Sequence, residues 1–449
     1  MNSVFRILSI TLLIMLSCDK PRANDIGPQS ETYLGIPSAA IEKELKDLLN
    51  AWYPTLIDTI NGGYWTNLAF DWTLMDRQDK MLVTQARGLW TAAKAATLFP
   101  ENPVYRRAAD HGYRFLTEKM WDTENGGFYL YYYIDSQSVS SAQFKLIYGN
   151  AFVLYALSEY AKINNSPEVL SWLEKTFQWL DSSAHDPQYK GYYNYVIPQN
   201  ARSERQNFFM GSPDLKDQNN HIHLMEAFAS AYRIWPDAVL KERLAETFKL
   251  VRDTMVNENG YLNLFFSKEW QPVRHVNESR DYILQNIYTD HVSFGHNIET
   301  AFLLLDASQA LYGKADSLTI TMARKLIDHT LDHGFDKEYY GLWDKGYYFK
   351  DKTEIEIVND DKVWWSQAEA WHALALITQY YPANKRYSSA FAQMWTYINE
   401  QMIDRRYKGW YSNGLDSDPD NRDAPKGSQW KGCYHNGRAL MLVYQYSKN

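Results

Sequence analysis

Apolar residues along this chain recur at helical spacing in segments that come in pairs, and a short Gly-aromatic signal separates each pair from the next. The 3.6-residue period predicts helices at 38–52, 81–98, 104–120, 146–163, 167–182, 218–234, 239–256, 291–312, 318–334, 362–380, 386–403 and 431–446. Pro103, Pro167 and Pro236 fall at helix starts or connections, where proline is tolerated. The intervening signals are Gly62-Gly63-Tyr64-Trp65, Gly126-Gly127-Phe128-Tyr129, Gly191-Tyr192-Tyr193, Gly260-Tyr261, Gly341-Leu342-Trp343 and Gly409-Trp410-Tyr411. Their glycines at 63, 127, 191, 260, 341 and 409 are spaced by 64, 64, 69, 81 and 68 residues. Each follows a turn residue such as Asn61, Asn125, Lys190, Asn259 or Lys408 and leads into alternating aromatics, as a short hairpin would. A period of this length marks a repeated supersecondary unit. Two helices in each of six repeats predict an all-α (α/α)6 barrel of twelve helices, with hairpins between the pairs. An open helical solenoid is the competing arrangement. Closure is favoured because the helix at 38–52 lacks an inner partner until 431–446 supplies one. One domain, 36–449, follows.

Composition adds a soluble globular character, with 45% hydrophobic and 22% charged residues. Aromatics reach 15%, including 34 Tyr and 16 Trp, enough both to fill a large core and to present stacking faces to sugars. A net charge of −8 without a basic run argues against a nucleic-acid partner. At the N-terminus, Arg6 precedes an apolar run from Ile7 to Leu16 that ends in Leu16-Ser17-Cys18. This resembles a bacterial lipoprotein signal, and implies a signal peptide at 1–17, lipidation at Cys18 and a polar tether over 18–35. The expectation is an exported protein that meets the membrane only through this lipid, facing the periplasm; an ordinary cleaved signal is the alternative. Cys433 is then left without a disulfide partner.

The helices that follow the hairpins carry polar groups in their first turns. Ser293-Phe294-Gly295-His296-Asn297-Ile298-Glu299 puts His296 and Glu299 three apart on one helical face, where a carboxylate would raise and orient a proton-shuttling imidazole. A satisfied structural pair is the bland alternative, but five other helix starts repeat the arrangement. Arg87 interrupts an apolar helix and needs an anionic or polyol partner, or a salt bridge to a neighbouring helix. Tyr148 opens the next such helix, and can equally be core with a satisfied hydroxyl. In Asn219-Asn220-His221-Ile222-His223, residues two apart point about 200° away from each other, so the two histidines do not share one ion on a helix. Asn219 and His223 do share a face. Trp365 and Glu369, four apart, pair an indole platform with a carboxylate that can accept sugar hydroxyls. Trp430 and His435 begin the last helix. Placed at corresponding helix ends, these residues define the mouth of the barrel.

Over nearly all of 38–446, and most specifically at Asn219–Glu226, Gly295–Glu299, Trp364–Glu369 and Trp430–Arg438, the chain resembles the N-acylglucosamine 2-epimerase superfamily, most closely its cellobiose or mannobiose 2-epimerase branch. The resemblance implies that His296 and His435 are the acid/base pair and His223 a supporting catalytic histidine. It further implies that Arg87 and Tyr148 contact oxygens near C1 and C2, and that Asn219, Glu299, Trp365, Glu369 and Trp430 bind the sugar. Phe302 departs from the tryptophan usual in the disaccharide enzymes. The chemistry suits the residue types independently: removing and returning a C2 proton through an enediolate calls for two histidines across a cavity, each titrating near neutrality, with hydrogen-bond donors around the oxyanion. No nucleotide fingerprint, P-loop or metal cluster is present in the sequence, so neither a cofactor nor a metal is expected. The expected activity is interconversion of reducing-end glucose and mannose in a β-linked disaccharide. The alternatives are a monosaccharide or N-acylglucosamine 2-epimerase, an aldose–ketose isomerase and, from other classes, a glycoside hydrolase or a non-catalytic glycan-binding lipoprotein.

Overall fold

Each Gly-aromatic signal is a tight hairpin organised by one buried side chain. Asp122 Oδ1 accepts from the N–H groups of Glu124 and Asn125 at 3.0 and 3.1 Å, closing the turn that leads to Gly126-Gly127. Its Oδ2 receives the ammonium of Lys145, from the strand before the next helix, at 2.8 Å. The same device recurs as Asp58–Lys80, Asp186–Lys216, Asp336–Lys362 and Asp404–Lys426. In the fourth repeat Asn257 takes the turn without a lysine, its Oδ1 accepting from the N–H of Asn259 at 2.9 Å. In five of the six turns two successive residues adopt left-handed backbone, with φ 73° at Gly126 and 72° at Gly127, and in the fourth Gly260 alone does. Where only one glycine is present, Lys190, Tyr340 or Lys408 takes the first left-handed position, a cost a non-glycine residue tolerates only in an over-determined turn.

The computed structural model describes residues 32–140, 144–197 and 211–448, so the signal, most of the tether and Cys18 lie outside the described residues. Thirteen α-helices are present among them: α1 Ser38–Trp52, α2 Leu82–Leu98, α3 Pro103–Phe115, α4 Ile147–Ala161, α5 Pro167–Ala184, α6 Gln218–Ile234, α7 Ala238–Leu250, α8 Arg280–Gln285, α9 Phe294–Tyr312, α10 Ser317–His333, α11 Trp364–Tyr380, α12 Lys385–Tyr397 and α13 Tyr434–Tyr446. Twelve correspond to the predicted helices. The thirteenth, α8, is a six-residue helix inside the longest, 81-residue repeat interval. The predicted ends at 120, 256 and 403 are π turns, Leu116–Met120, Val251–Met255 and Ile398–Met402, that underwind the last turn of α3, α7 and α12 before their hairpins.

Packing closes the ring. The helices α2, α4, α6, α9, α11 and α13 contact one another in succession, α13 returns to α2, and α1, α3, α5, α7, α10 and α12 wrap them outside. The division follows from sequence: α2 buries 14 of its 17 residues, while the amphipathic α3 buries 6 of 13. The open solenoid is therefore ruled out, and the chain forms the expected (α/α)6 barrel.

Inner helices are held in register by a polar residue in the first turn that reaches outward to the hairpin backbone. Gln85, Asn150, His221, Asn297 and Gln367 accept from the N–H groups of Tyr64, Phe128, Tyr192, Leu262 and Leu342 at 2.7, 2.8, 2.9, 3.0 and 2.7 Å. Asn436 holds the corresponding place in α13, where Lys431 Nζ bonds the hairpin carbonyl of Trp410 at 2.7 Å instead. A residue two positions from such an anchor is rotated by about 200° and faces the barrel axis.

The buried aspartate–lysine pairs give a stability prediction. Burial would raise Asp122, but Lys145 and the turn N–H groups hold it well below the carboxylate range. Its contribution is present above the unfolded carboxylate pKa and lost as pH falls through the lowered folded value. Lys145→Met leaves Asp122 buried and unpaired, and should cost about 3–5 kcal/mol in chemical denaturation. Adding Asp122→Asn, which reproduces the lysine-free fourth repeat, should recover most of that loss.

Candidate active site

The outward anchors fix what points inward. Two residues beyond them stand Arg87, Phe152, His223, Glu299, Glu369 and Arg438; two residues before the anchors of α4, α6, α11 and α13 stand Tyr148, Asn219, Trp365 and Tyr434. Together with His296 and His435, just before their anchors, these groups line or floor a cavity of about 300 Å³ at the N-terminal ends of the inner helices. Arg87, Tyr148, Asn219, His223, His296, Glu299, Trp365, Trp430 and His435 all line it, joined by Trp364. Trp430 stands at the rim, 38% exposed. Glu369, expected on the sugar, does not line the cavity. It lies fully buried behind His435, its Oε1 2.5 Å from His435 Nδ1.

The partner of His296 also differs from expectation. Glu299 does not touch it. His296 Nδ1 lies 2.7 Å from Ser293 Oγ, at the residue preceding the helix, whereas the Glu299 carboxylate turns to Arg438 at 2.7 Å. Residues three apart share a face, but the deeper cation competes better for the carboxylate. Neither histidine titrates near neutrality in the resting cavity. Burial pushes His296 down to about 3, helped by His223, and pushes His435 well below its usual value, helped by Arg87 and Arg438.

Arg438, which sequence reasoning left unassigned, is the centre of the floor. Its guanidinium bonds Glu226 and lies 2.7 Å from Glu299 and 2.8 Å from Glu369. Each carboxylate then addresses a histidine: Glu226 bonds His223 Nδ1 at 2.9 Å, Glu369 bonds His435 Nδ1, and Glu299 stands 4.0 Å from His223 Nε2. The register could have revealed Arg438, because it follows Asn436 as Arg87 follows Gln85. Burial, and then the negative neighbours Glu299 and Glu226, push Glu369 up to about 8 against the pull of Arg438. Burial and the neighbouring carboxylates thus favour the protonated form of Glu369 where it meets His435.

On the opposite wall Arg87 forms no salt bridge among the described residues. Its guanidinium lies 4.3 Å from the ring centre of Phe152 and 5.0 Å from that of Tyr434, and donates to Tyr148 Oη at 2.8 Å. Arg87 Nε and Asn219 Oδ1 have no hydrogen-bond partner among the described residues, so a ligand's oxygens and hydroxyls can meet both. Trp365 lies between the two mouth histidines, its ring centre 4.8 Å from His296 and 5.9 Å from His435. His221 is structural, with Nε2 on the Tyr192 N–H and Nδ1 2.7 Å from the Asp217 carbonyl. Phe302 lies outside this cavity, below the floor against Arg438 and His372.

This arrangement can be set beside known proteins. The chain is 26% identical to a cellobiose 2-epimerase of Bacteroides fragilis over 401 residues, covering 89% of this chain and 96% of that protein. It is 24% identical to the cellobiose 2-epimerase of Dictyoglomus turgidum over 424 residues, covering 91% and 98%. In fold it resembles the solved cellobiose 2-epimerase of Bacillus thermoamylovorans, with a TM-score of 0.77 and 24% identity over 91% of this chain and 99% of that one. Barrel, cavity and relatives together define a carbohydrate isomerase of the epimerase type. The N-acylglucosamine 2-epimerase (GlcNAc 2-epimerase) family profile matches residues 63–439, and the chain belongs to that family.

Two substitutions test the floor and the anchor. Arg438→Lys keeps one charge but cannot bridge three carboxylates, and should lower stability by about 1–3 kcal/mol in denaturant melts. It should also lower kcat far more than it raises KM. His221→Gln, by contrast, places at α6 the anchor already used at α2 and α11, and should retain near-native kcat.

Proposed function

We propose that the chain is a cofactor-independent 2-epimerase acting on the reducing-end glucose or mannose of a β-linked disaccharide. The observation that carries this reading is the pair His296 and His435. Each is held through Nδ1, by a hydroxyl and by a carboxyl respectively, which leaves Nε2 for the cavity they both line.

The geometry supports an asymmetric exchange of protons. With Nδ1–H donated to Ser293, neutral His296 has a lone pair on Nε2 and can take the C2 proton of the open-chain sugar. With a protonated Glu369 at its Nδ1, His435 carries its own proton on Nε2. It can deliver that proton to C2 on the other face while receiving the Glu369 proton behind it. The reverse reaction runs the same groups backwards. Between the two transfers the enediolate oxygens meet the donors Arg87 and Tyr148, with His223 oriented by Glu226. A cavity of about 300 Å³ suits one enclosed sugar ring. The rim indole of Trp430 supports a second ring outside it. The lipid anchor at Cys18 would place this activity on exported oligosaccharides.

Incubation with cellobiose, mannobiose, mannose and N-acetylglucosamine, followed by sugar analysis, tests the reading. The 2-epimer of a disaccharide should form with the highest kcat/KM; a far higher value for mannose or N-acetylglucosamine would replace it with a monosaccharide activity. His296→Asn and His435→Asn should each lower kcat by about 10²–10⁴-fold with the fold intact. The pH profile follows from Glu369: kcat/KM should hold through neutrality and fall as pH rises past about 8, where the shared proton is lost. Glu369→Gln should remove that alkaline limb.

A further inference from the structure

Below the Arg438 floor the barrel holds a second cavity, of about 150 Å³, reached from the end opposite the active-site mouth. The register that organises the upper site organises this one too. Nine residues beyond the anchors of α2, α4, α6 and α9, the inward positions are Lys94, Glu159, Ser230 and Asp306, all lining the cavity. A barrel filled only for stability would place apolar side chains there.

Several of the buried polar atoms on these walls are unpartnered. Among the described residues Glu159 Oε1, His372 Nδ1 and Arg438 Nε make no hydrogen bond, although Glu159, His372 and Arg438 are each more than nine-tenths buried. Lys94 forms no hydrogen bond or ion pair among the described residues, and feels Glu159 and Asp306 only from a distance. Leaving such groups unmet is costly, so the set calls for an occupant with matching chemistry.

We propose that this cavity binds a neutral, monosaccharide-sized polyol. The charges select it. A small anion would face Glu159 and Asp306, and a small cation would face Lys94, with the Lys162 that already pairs with Glu159 Oε2 at 2.5 Å and the Arg233 that pairs with Asp306 at 2.9 Å. Hydroxyl groups are both donors and acceptors: they can donate to Glu159 Oε1 and accept from Lys94 Nζ and Arg438 Nε–H. The faces of Trp90 and Phe302 complete an amphipathic lining of the kind sugars meet. The site stands apart from the epimerase cavity, sharing only the floor residues, and does not depend on which sugar is turned over above it.

The probe is 1,5-anhydroglucitol, which has the ring hydroxyls of glucose but cannot open to an aldehyde. NMR titration of the full chain should resolve two binding events. Lys94→Met, and separately Leu442→Trp to fill the cavity from its rim, should weaken one event at least tenfold and leave kcat unchanged; Trp365→Ala should weaken the other. Crystals soaked with the probe should show it against Lys94 and Glu159. A single event, lost in Trp365→Ala and indifferent to Lys94→Met and Leu442→Trp, would overturn the proposal.

Discussion

One guanidinium among three buried carboxylates governs this structure. Arg438 meets Glu226, Glu299 and Glu369 with almost no exposure to water, and a single positive charge cannot neutralise all three. The imbalance is relieved by a proton. Glu226, nearest the guanidinium and bonded to His223, is held below its ordinary range despite its burial, while Glu369 is pushed up. The carboxyl whose protonated form is favoured is the one on His435. In the proposed mechanism this charge constraint gives His435 the proton to deliver and leaves His296, beside the Ser293 hydroxyl, to take one.

The placement of these groups is a consequence of register. An anchor that bonds the hairpin backbone on the outside of a helix turns the residue two positions on toward the axis, and six repeats then lay six side chains into one ring. Turn aspartate, buried lysine and anchor serve the fold, while the positions between anchors are free to carry chemistry. That separation explains why His221 and His223, neighbours in sequence, belong to different systems: one holds the Tyr192 hairpin, the other the Glu226 carboxylate.

Much of this was legible in the sequence. The Gly-aromatic repeats and paired helical segments carried the barrel, its closure and twelve of the helices, because they are local patterns repeated six times. The polar first turns carried the cavity, since nine of the ten expected active-site side chains line it. What was not legible depends on long-range competition. A shared face suggested Glu299 for His296, yet Arg438, 139 residues later, takes the carboxylate, and Ser293 takes the imidazole. Glu369 could not be seen to stand behind His435, 66 residues away, rather than on the sugar. The low-lying titration of the histidines came from burial that spacing does not reveal. The aspartate–lysine pairs were hidden because each joins a turn to a lysine 22–30 residues on.

The central claim is that C2 is served by two different groups on its two faces. Hydrogen exchange in single-histidine variants tests it most directly. In D₂O, His435→Asn should wash deuterium into C2 of one epimer only, without forming the other, because His296 can still remove and return the proton on its own face. His296→Asn should do the same to the opposite epimer only as pH rises past about 8, where loss of the Glu369 proton frees His435 Nε2 to take one. Exchange into both epimers by either variant, or epimerisation that survives with one histidine, would contradict the account.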